Sequence, residues 1–239
     1  APRKIADAIT SNIDKSGDIK DIEVAGAGFI NFYLAPDWLY RTMESIEKEG
    51  SDYGKIDLGK GKKVMVEFVS ANPTGPMHMG NARGGALGDC LASVLEYAGY
   101  DVTREFYIND AGNQIEKFGK SLSARYIQQL KGEDAIEFPE DGYQGGDITE
   151  HAKEFIKLYG DKYLDCGEDE RKQALIDYAL EKNISALKTD LEKYRINYDV
   201  WFRESLLHKN GEVTSAIERL RKNGYTYDED GAVWLNCEK

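Results

Sequence analysis

The sequence predicts an α/β protein in which a parallel sheet carries a mostly helical insertion and is preceded by a small α+β unit. Three observations predict it. A β-rich stretch from Lys63, an amphipathic helix ending at Gly99 and a second strand from Val102 to Ile108 form a strand–helix–strand unit, whose crossover favours parallel pairing. A polar break from Lys131 to Asp147 then gives way to long runs of helical periodicity. Ahead of both lie a short helix and a β-branched segment punctuated by glycine.

Taken in order, Ile5, Ala8, Ile9 and Ile13 recur at helical spacing, and residues 19–34 carry β-branched and aromatic side chains around Gly26 and Gly28, which suit a hairpin turn or bulge. Pro36 opens a helix that Gly50 stops, and residues 54–61 read as a linker. Residues 63–70 form a strand, 71–80 a loop, and the helix behind them sets Ala86, Leu87, Leu91, Val94 and Leu95 on one face. Asn109 or Asp110 is expected to cap a helix running to Leu130. Helical spacing returns over 148–159 and 168–194. A strand at 198–203, a helix at 211–222 and a hairpin at 225–235 turning over 228–231 complete the chain.

Composition excludes several classes of function. With 41% apolar and 31% charged residues, the chain has no run approaching the ~18 apolar residues a membrane span needs, so no membrane association is expected. It opens Ala-Pro-Arg-Lys, without an initiator Met or a basic-then-apolar leader, and reads as a piece of a longer protein. Cys90, Cys166 and Cys237 are odd in number and never form a CxxC, so neither disulfides nor zinc are expected and a reducing cytoplasm fits. His78, His151 and His208 show no paired ligand spacing, so no structural metal is expected. A net charge of −12 argues against general coating of nucleic acid and leaves room for a local binding face.

The stretch that carries chemistry is VEFVSANPTGPMHMGNARGGALGD, residues 66–89, which sets a His-x-Gly-Asn where a parallel strand meets its helix. Free backbone N–H groups and the helix dipole make such a junction an anion site, and Gly75 and Gly80 let a phosphate approach the backbone closely. His78 can donate to a phosphate oxygen without being charged.

This stretch resembles the first signature of class I aminoacyl-tRNA synthetases, the HIGH motif, which stands here as His78-Met79-Gly80-Asn81. Its flanks resemble arginyl-tRNA synthetases of the bacterial type: Ser70-Ala71-Asn72-Pro73-Thr74-Gly75 before it, Ala82-Arg83-Gly84-Gly85 after it, and residues 107–114 (YINDAGNQ) downstream. The likeness covers nearly the whole chain. It departs from the family at Asn81, where the signature has His, and the second signature, KMSK, does not occur. The resemblance implies a Rossmann-type catalytic domain. Residues 1–57 would be the end of a tRNA-binding domain with a linker helix, 58–130 the first half of the catalytic domain, and 131–239 a mostly helical insertion with a strand and a terminal hairpin.

The implied activity is that of an arginine-tRNA ligase. The arginine carboxylate attacks the α-phosphate of ATP, which is used with Mg²⁺, and the arginyl group passes to the terminal adenosine of tRNA(Arg). A cytoplasmic monomer is expected, and without a KMSK lysine the 239-residue chain is expected to be inactive alone. The alternatives are a non-catalytic, synthetase-derived module that binds tRNA or a partner protein, and another nucleotidyltransferase of the HIGH superfamily.

Site residues follow from the same likeness. His78 and Asn81 are the catalytic candidates, and Gly75, Met77, His78, Gly80 and Asn81 the ATP-binding ones, within a HIGH region of Ala71, Asn72, Pro73, Thr74, Gly75, Pro76, Met77, His78, Met79, Gly80 and Asn81. A guanidinium is planar, charged and donor-only, so it wants carboxylates and carbonyl-type acceptors. Glu67, Ser70 and Asn72 meet that demand, with His78 touching the substrate carboxylate. Ser70 and Asn72 share one face of an extended strand, whereas Glu67 has the opposite parity and needs a bend to join them. Asn113 and Gln114 either border the adenylate pocket or belong to an ordinary polar first turn.

Overall fold

A computed structural model describes residues 1–15 and 17–237, and in it the chain divides into two units, Ala1–Ile56 and Asp57–Lys239. In the first, α1 (Pro2–Asn12) precedes an antiparallel hairpin of β1 (Ile19–Ala25) and β2 (Phe29–Leu34), and α2 (Pro36–Glu49) follows. Proline opens both helices, where a missing N–H costs nothing. The hairpin turns through Gly26 and Gly28, both at positive φ. A Cβ on Gly28 would lie 2.9 Å from the Pro2 carbonyl carbon, so glycine is what lets α1 lie against the turn. This is the small α+β unit expected from the sequence.

In the second unit, β3 (Lys63–Glu67), β4 (Asp101–Ile108) and β5 (Val200–Arg203) form a sheet in the order β3-β4-β5, parallel throughout. The helix α3 (Met79–Tyr97) makes the crossover from β3 to β4. Between β4 and β5 the chain inserts α4 (Asn113–Lys131), α5 (Gly146–Tyr159) and α6 (Glu168–Lys193). Their apolar faces, with Phe118, Leu122, Tyr126, Phe155, Leu175 and Leu187, join Val66, Phe106 and Ile108 of the strands in one buried cluster. This is a Rossmann-type parallel sheet carrying a helical insertion. The chain closes with α7 (Glu204–Lys209), α8 (Glu212–Lys222) and a hairpin of β6 (Thr226–Glu229) and β7 (Ala232–Leu235). Asp230 and Gly231 both take positive φ at its tip, the backbone that a tight two-residue hairpin loop demands.

Three local expectations need correction. The strand expected over 63–70 ends at Glu67, because Val69 and Ser70 leave the extended region for positive φ. The helix α4 starts at Asn113 with Gly112 at its N-cap and no side-chain cap. Asp110 instead accepts hydrogen bonds from the Ser205 N–H and hydroxyl, at 2.8 and 2.9 Å, and so ties the end of β4 to the start of α7. Finally, α7 was not expected from periodicity; at six residues it is under two turns long. Among the described residues no helix is long and apolar enough to cross a membrane.

Candidate active site

The carboxyl end of β3 opens into a crevice of about 460 Å³. Open α/β sheets bind ligands at this end of their strands. One wall is the loop between β3 and α3, with Ser70, Ala71, Asn72, Thr74, Gly75 and Pro76; His78 and Asn81 stand at the N-terminus of α3; Tyr143, Gly145 and Asp147 close the crevice from the segment around the start of α5.

The loop begins with a forced bend. Val69 (φ 65°) and Ser70 (φ 39°) are consecutive non-glycine residues in the left-handed region, and the Ser70 N–H donates to the Phe68 carbonyl two residues back at 2.9 Å. A β-branched residue at positive φ is strained, by about 1–3 kcal/mol, and persists only where its surroundings hold it. Here they do. The Tyr198 hydroxyl donates to the Phe68 carbonyl at 3.1 Å, and the two rings stack at 4.6 Å. Burial pushes the Tyr198 phenol well above its ordinary range, so it remains a donor. On the other side of the bend, the Tyr107 N–H donates to Ser70 Oγ at 3.1 Å, and Ser70 Oγ donates to Glu67 Oε1 at 2.8 Å. The bend thus brings Glu67 and Ser70 together despite their opposite strand parity.

At the start of α3 the signature residues cap their own helix. The His78 N–H donates to Asn81 Oδ1 at 3.0 Å, and the Gly80 N–H donates to His78 Nδ1 at 3.1 Å. Because Nδ1 accepts, the neutral imidazole carries its proton on Nε2, which is then the atom that can donate outward. Gly80 is required for this fold-back, since a Cβ there would lie 2.9 Å from His78 Cε1. Further along α3, a Cβ on Gly88 would lie 2.2 Å from Phe68 Cγ, and one on Gly85 would lie 2.8 Å from Ile196 Cδ1. Glycine therefore sets how closely α3 approaches the bend.

Of the residues expected from sequence, Ser70, Ala71, Asn72, Thr74, Gly75, Pro76, His78 and Asn81 line the crevice together. Pro73 is buried behind them, and Met77 faces two neighbouring hollows. Met79 is 83% exposed and Gly80 contributes its backbone N–H to the cap. Glu67 is exposed and reaches the site through Ser70, while Asn113 and Gln114 sit exposed in the first turn of α4, outside the lining. Tyr143, Gly145 and Asp147 were not anticipated; they come from a break that reads as a polar connection. Asp147 is the one carboxylate among the described lining residues, and none of them is Lys or Arg.

Comparison with known proteins is consistent along the whole chain. Residues 42–238 match the family described as tRNA synthetases class I (R), catalytic domain, and residues 1–34 match the arginyl tRNA synthetase N-terminal domain. Curated arginine–tRNA ligases from Ruminiclostridium cellulolyticum and Caldanaerobacter subterraneus are 62% and 63% identical over 98% of this chain. The chain spans 42% of the length of each. A solved Campylobacter jejuni structure, provisionally assigned as an arginyl-tRNA synthetase, superposes with a TM-score of 0.71 at 31% identity, covering 84% of this chain and 43% of its own. The Thermus thermophilus arginyl-tRNA synthetase, at 21% identity and a TM-score of 0.55 over 97% of this chain and 38% of its own, shares the fold.

Proposed function

The chain belongs to the arginyl-tRNA synthetase family, and from that premise we propose that its crevice is the first half of a site that activates arginine with ATP and passes it to tRNA(Arg). One observation carries the reading most: His78 and Asn81 present the N-terminus of α3 to a crevice whose other walls are Ser70, Asn72 and Asp147. The outward Nε2–H of His78 and the dipole of α3 suit a phosphate, and the acceptor oxygens suit a cationic amino acid.

In this reading His78 Nε2–H donates to a phosphate oxygen or to the substrate carboxylate. Asn81 holds His78 by accepting its backbone N–H, which leaves the amide Nδ2 to face the nucleotide. Gly75 and Gly80 keep the approach to the backbone open. Ser70, oriented by the Tyr107 N–H, aligns Glu67, and Asn72 offers a carbonyl oxygen to the guanidinium. Chemistry of this kind rests on positioning and on stabilising phosphate oxygens, and needs no covalent nucleophile.

Among the described residues no three His, Cys, Asp or Glu side chains gather as a metal site. In this reading Mg²⁺ arrives with the nucleotide and shields its phosphate charge, since this ion is commonly held by substrate phosphates with one or two carboxylates. In this reading residues 1–57 are the end of a tRNA-binding domain with a linker helix, supported by the N-terminal domain match over residues 1–34, and the protein is a cytoplasmic monomer.

Amino-acid-dependent ATP–pyrophosphate exchange, run across all amino acids with and without tRNA on protein of the relatives' length, tests the reading. Exchange confined to arginine supports it; exchange with another acid, or binding of tRNA without exchange, overturns it. The 239-residue chain by itself is expected to show no exchange, since its crevice lining holds no cation to stabilise the departing pyrophosphate.

A further inference from the structure

Asn183 lies in the middle of α6 and is 9% exposed, an unusual burial for an amide side chain unless both of its ends are satisfied. Both are. Its Nδ2 donates to the Pro73 carbonyl at 2.8 Å, across 110 residues of sequence, and its Oδ1 lies 2.8 Å from His151 Nε2 on α5. The orientation of this amide is fixed by chemistry, because a carbonyl can only accept: Nδ2 must face Pro73, so Oδ1 faces His151, and His151 Nε2 must be the donor. Pro73 is itself fully buried and stands between Asn72 and Thr74, two of the residues that line the crevice.

We propose that Asn183 is a positioning residue, a clamp by which the insertion helices α5 and α6 hold the signature loop at Pro73 and so set Asn72 and Thr74 in the crevice. Packing buries Pro73 and Thr74, but among the described residues this is the one hydrogen bond that holds the backbone of residues 71–77. Proline supplies no N–H of its own, so the Pro73 carbonyl is the backbone group through which the loop can be gripped at this point. His151 completes the clamp by occupying the acceptor end of the amide, which would otherwise be a buried polar atom without a partner. The geometry of the clamp stands by itself; its meaning for catalysis rests on the proposed function.

Two measurements separate these. In the 239-residue chain, Asn183→Asp keeps the shape and the acceptor for His151 but replaces the donor to Pro73 with a repelling oxygen. Hydrogen exchange at the His78, Gly80 and Asn81 amides should then quicken by about tenfold or more, as expected when a local opening becomes easier. Asn183→Ser, which removes both bonds without adding charge, should do the same and carries the test if the aspartate variant fails to fold. Tyr178→Phe breaks a different hydrogen bond between the same two helices, Tyr178 to Glu154 at 2.8 Å, and should leave those amides unchanged. Equal protection in the Asn183 variants and wild type overturns the clamp.

In protein of the relatives' length, pyrophosphate exchange should show the arginine KM of the Asn183 variants raised by about tenfold or more, whereas a merely structural defect would lower the active fraction at an unchanged KM. An unchanged KM overturns the positioning role. Absence of exchange in the wild type would instead remove the proposed function, with hydrogen exchange still deciding the clamp.

Discussion

The helices α3 and α4 are each 19 residues long and flank the same strand, β4, yet they are held in opposite ways. On α4 the buried positions include Ile115, Phe118, Leu122 and Tyr126, an apolar stripe driven into the core. On α3 the buried residues are Gly85, Gly88 and Ala92, while Leu87, Leu91 and Val94 stand in solvent at 73%, 50% and 65% exposure. One helix is anchored by area removed from water, the other by how near its backbone can come. That difference matches what each helix does. The position of α3 decides where His78 and Asn81 stand, so it is set by contact with the bend at Phe68, with little room for adjustment.

The comparison predicts a ranked set of effects. Phe118→Ala should cost about 3–5 kcal/mol, read by denaturant unfolding of the 239-residue chain, because it empties a fully buried site on α4. A loss near 1 kcal/mol would mean that α4 is not the core helix described. Next, Gly88→Ala should cost about 1–3 kcal/mol despite adding a single methyl group, since the new atom meets Phe68 at 2.2 Å and α3 has to back away. A stabilised or neutral variant, as for an ordinary helical Gly→Ala change, would end the claim that close approach positions this helix.

Smaller effects should follow at the functional end and on the outer face of α3. Asn81→His should leave exchange activity within about tenfold, roughly 1.4 kcal/mol in barrier, since an imidazole Nδ1 can also accept the His78 N–H. A drop of three orders of magnitude would show that the Asn81 amide makes a contact that an imidazole cannot replace. Leu91→Ser should move the stability of the 239-residue chain by no more than about 0.5 kcal/mol, since half of that side chain is already in water. A larger loss would show that the outer face of α3 is covered in solution.

Much of this contrast was legible beforehand, and the remainder has identifiable causes. The strand–helix–strand unit, the stops at Gly50 and Gly99 and the clustering of residues 70–81 follow from periodicity and turn chemistry that are local in sequence. The apolar positions on α3 were expected on one face, but Ala86 and Leu95, nine residues apart, fall on opposite sides of an α-helix; Leu87, Leu91 and Val94 stand in solvent, while Leu95 packs against the core. The parity of Glu67 called for a bend, but nothing in the residue types placed it at Val69 and Ser70, because positive φ is normally announced by Gly or Asn and here Tyr198 and Tyr107 hold it from outside. Tyr143, Gly145 and Asp147 were missed for a related reason: nothing near them in sequence indicates that their segment folds back over the signature loop.

The same long-range supports fix when the site can exist during synthesis. Phe68 is held by Tyr198 and Pro73 by Asn183, partners separated by 130 and 110 residues. A chain emerging from the ribosome exposes the signature residues early, and Tyr107 can reach the bend soon after, but the bend lacks Tyr198 and the loop lacks Asn183 until α6 and the segment leading into β5 have followed. The crevice is therefore complete only once Tyr198 has been translated. A nascent chain halted before Asn183 would display every residue of the signature without the geometry that gives those residues their use.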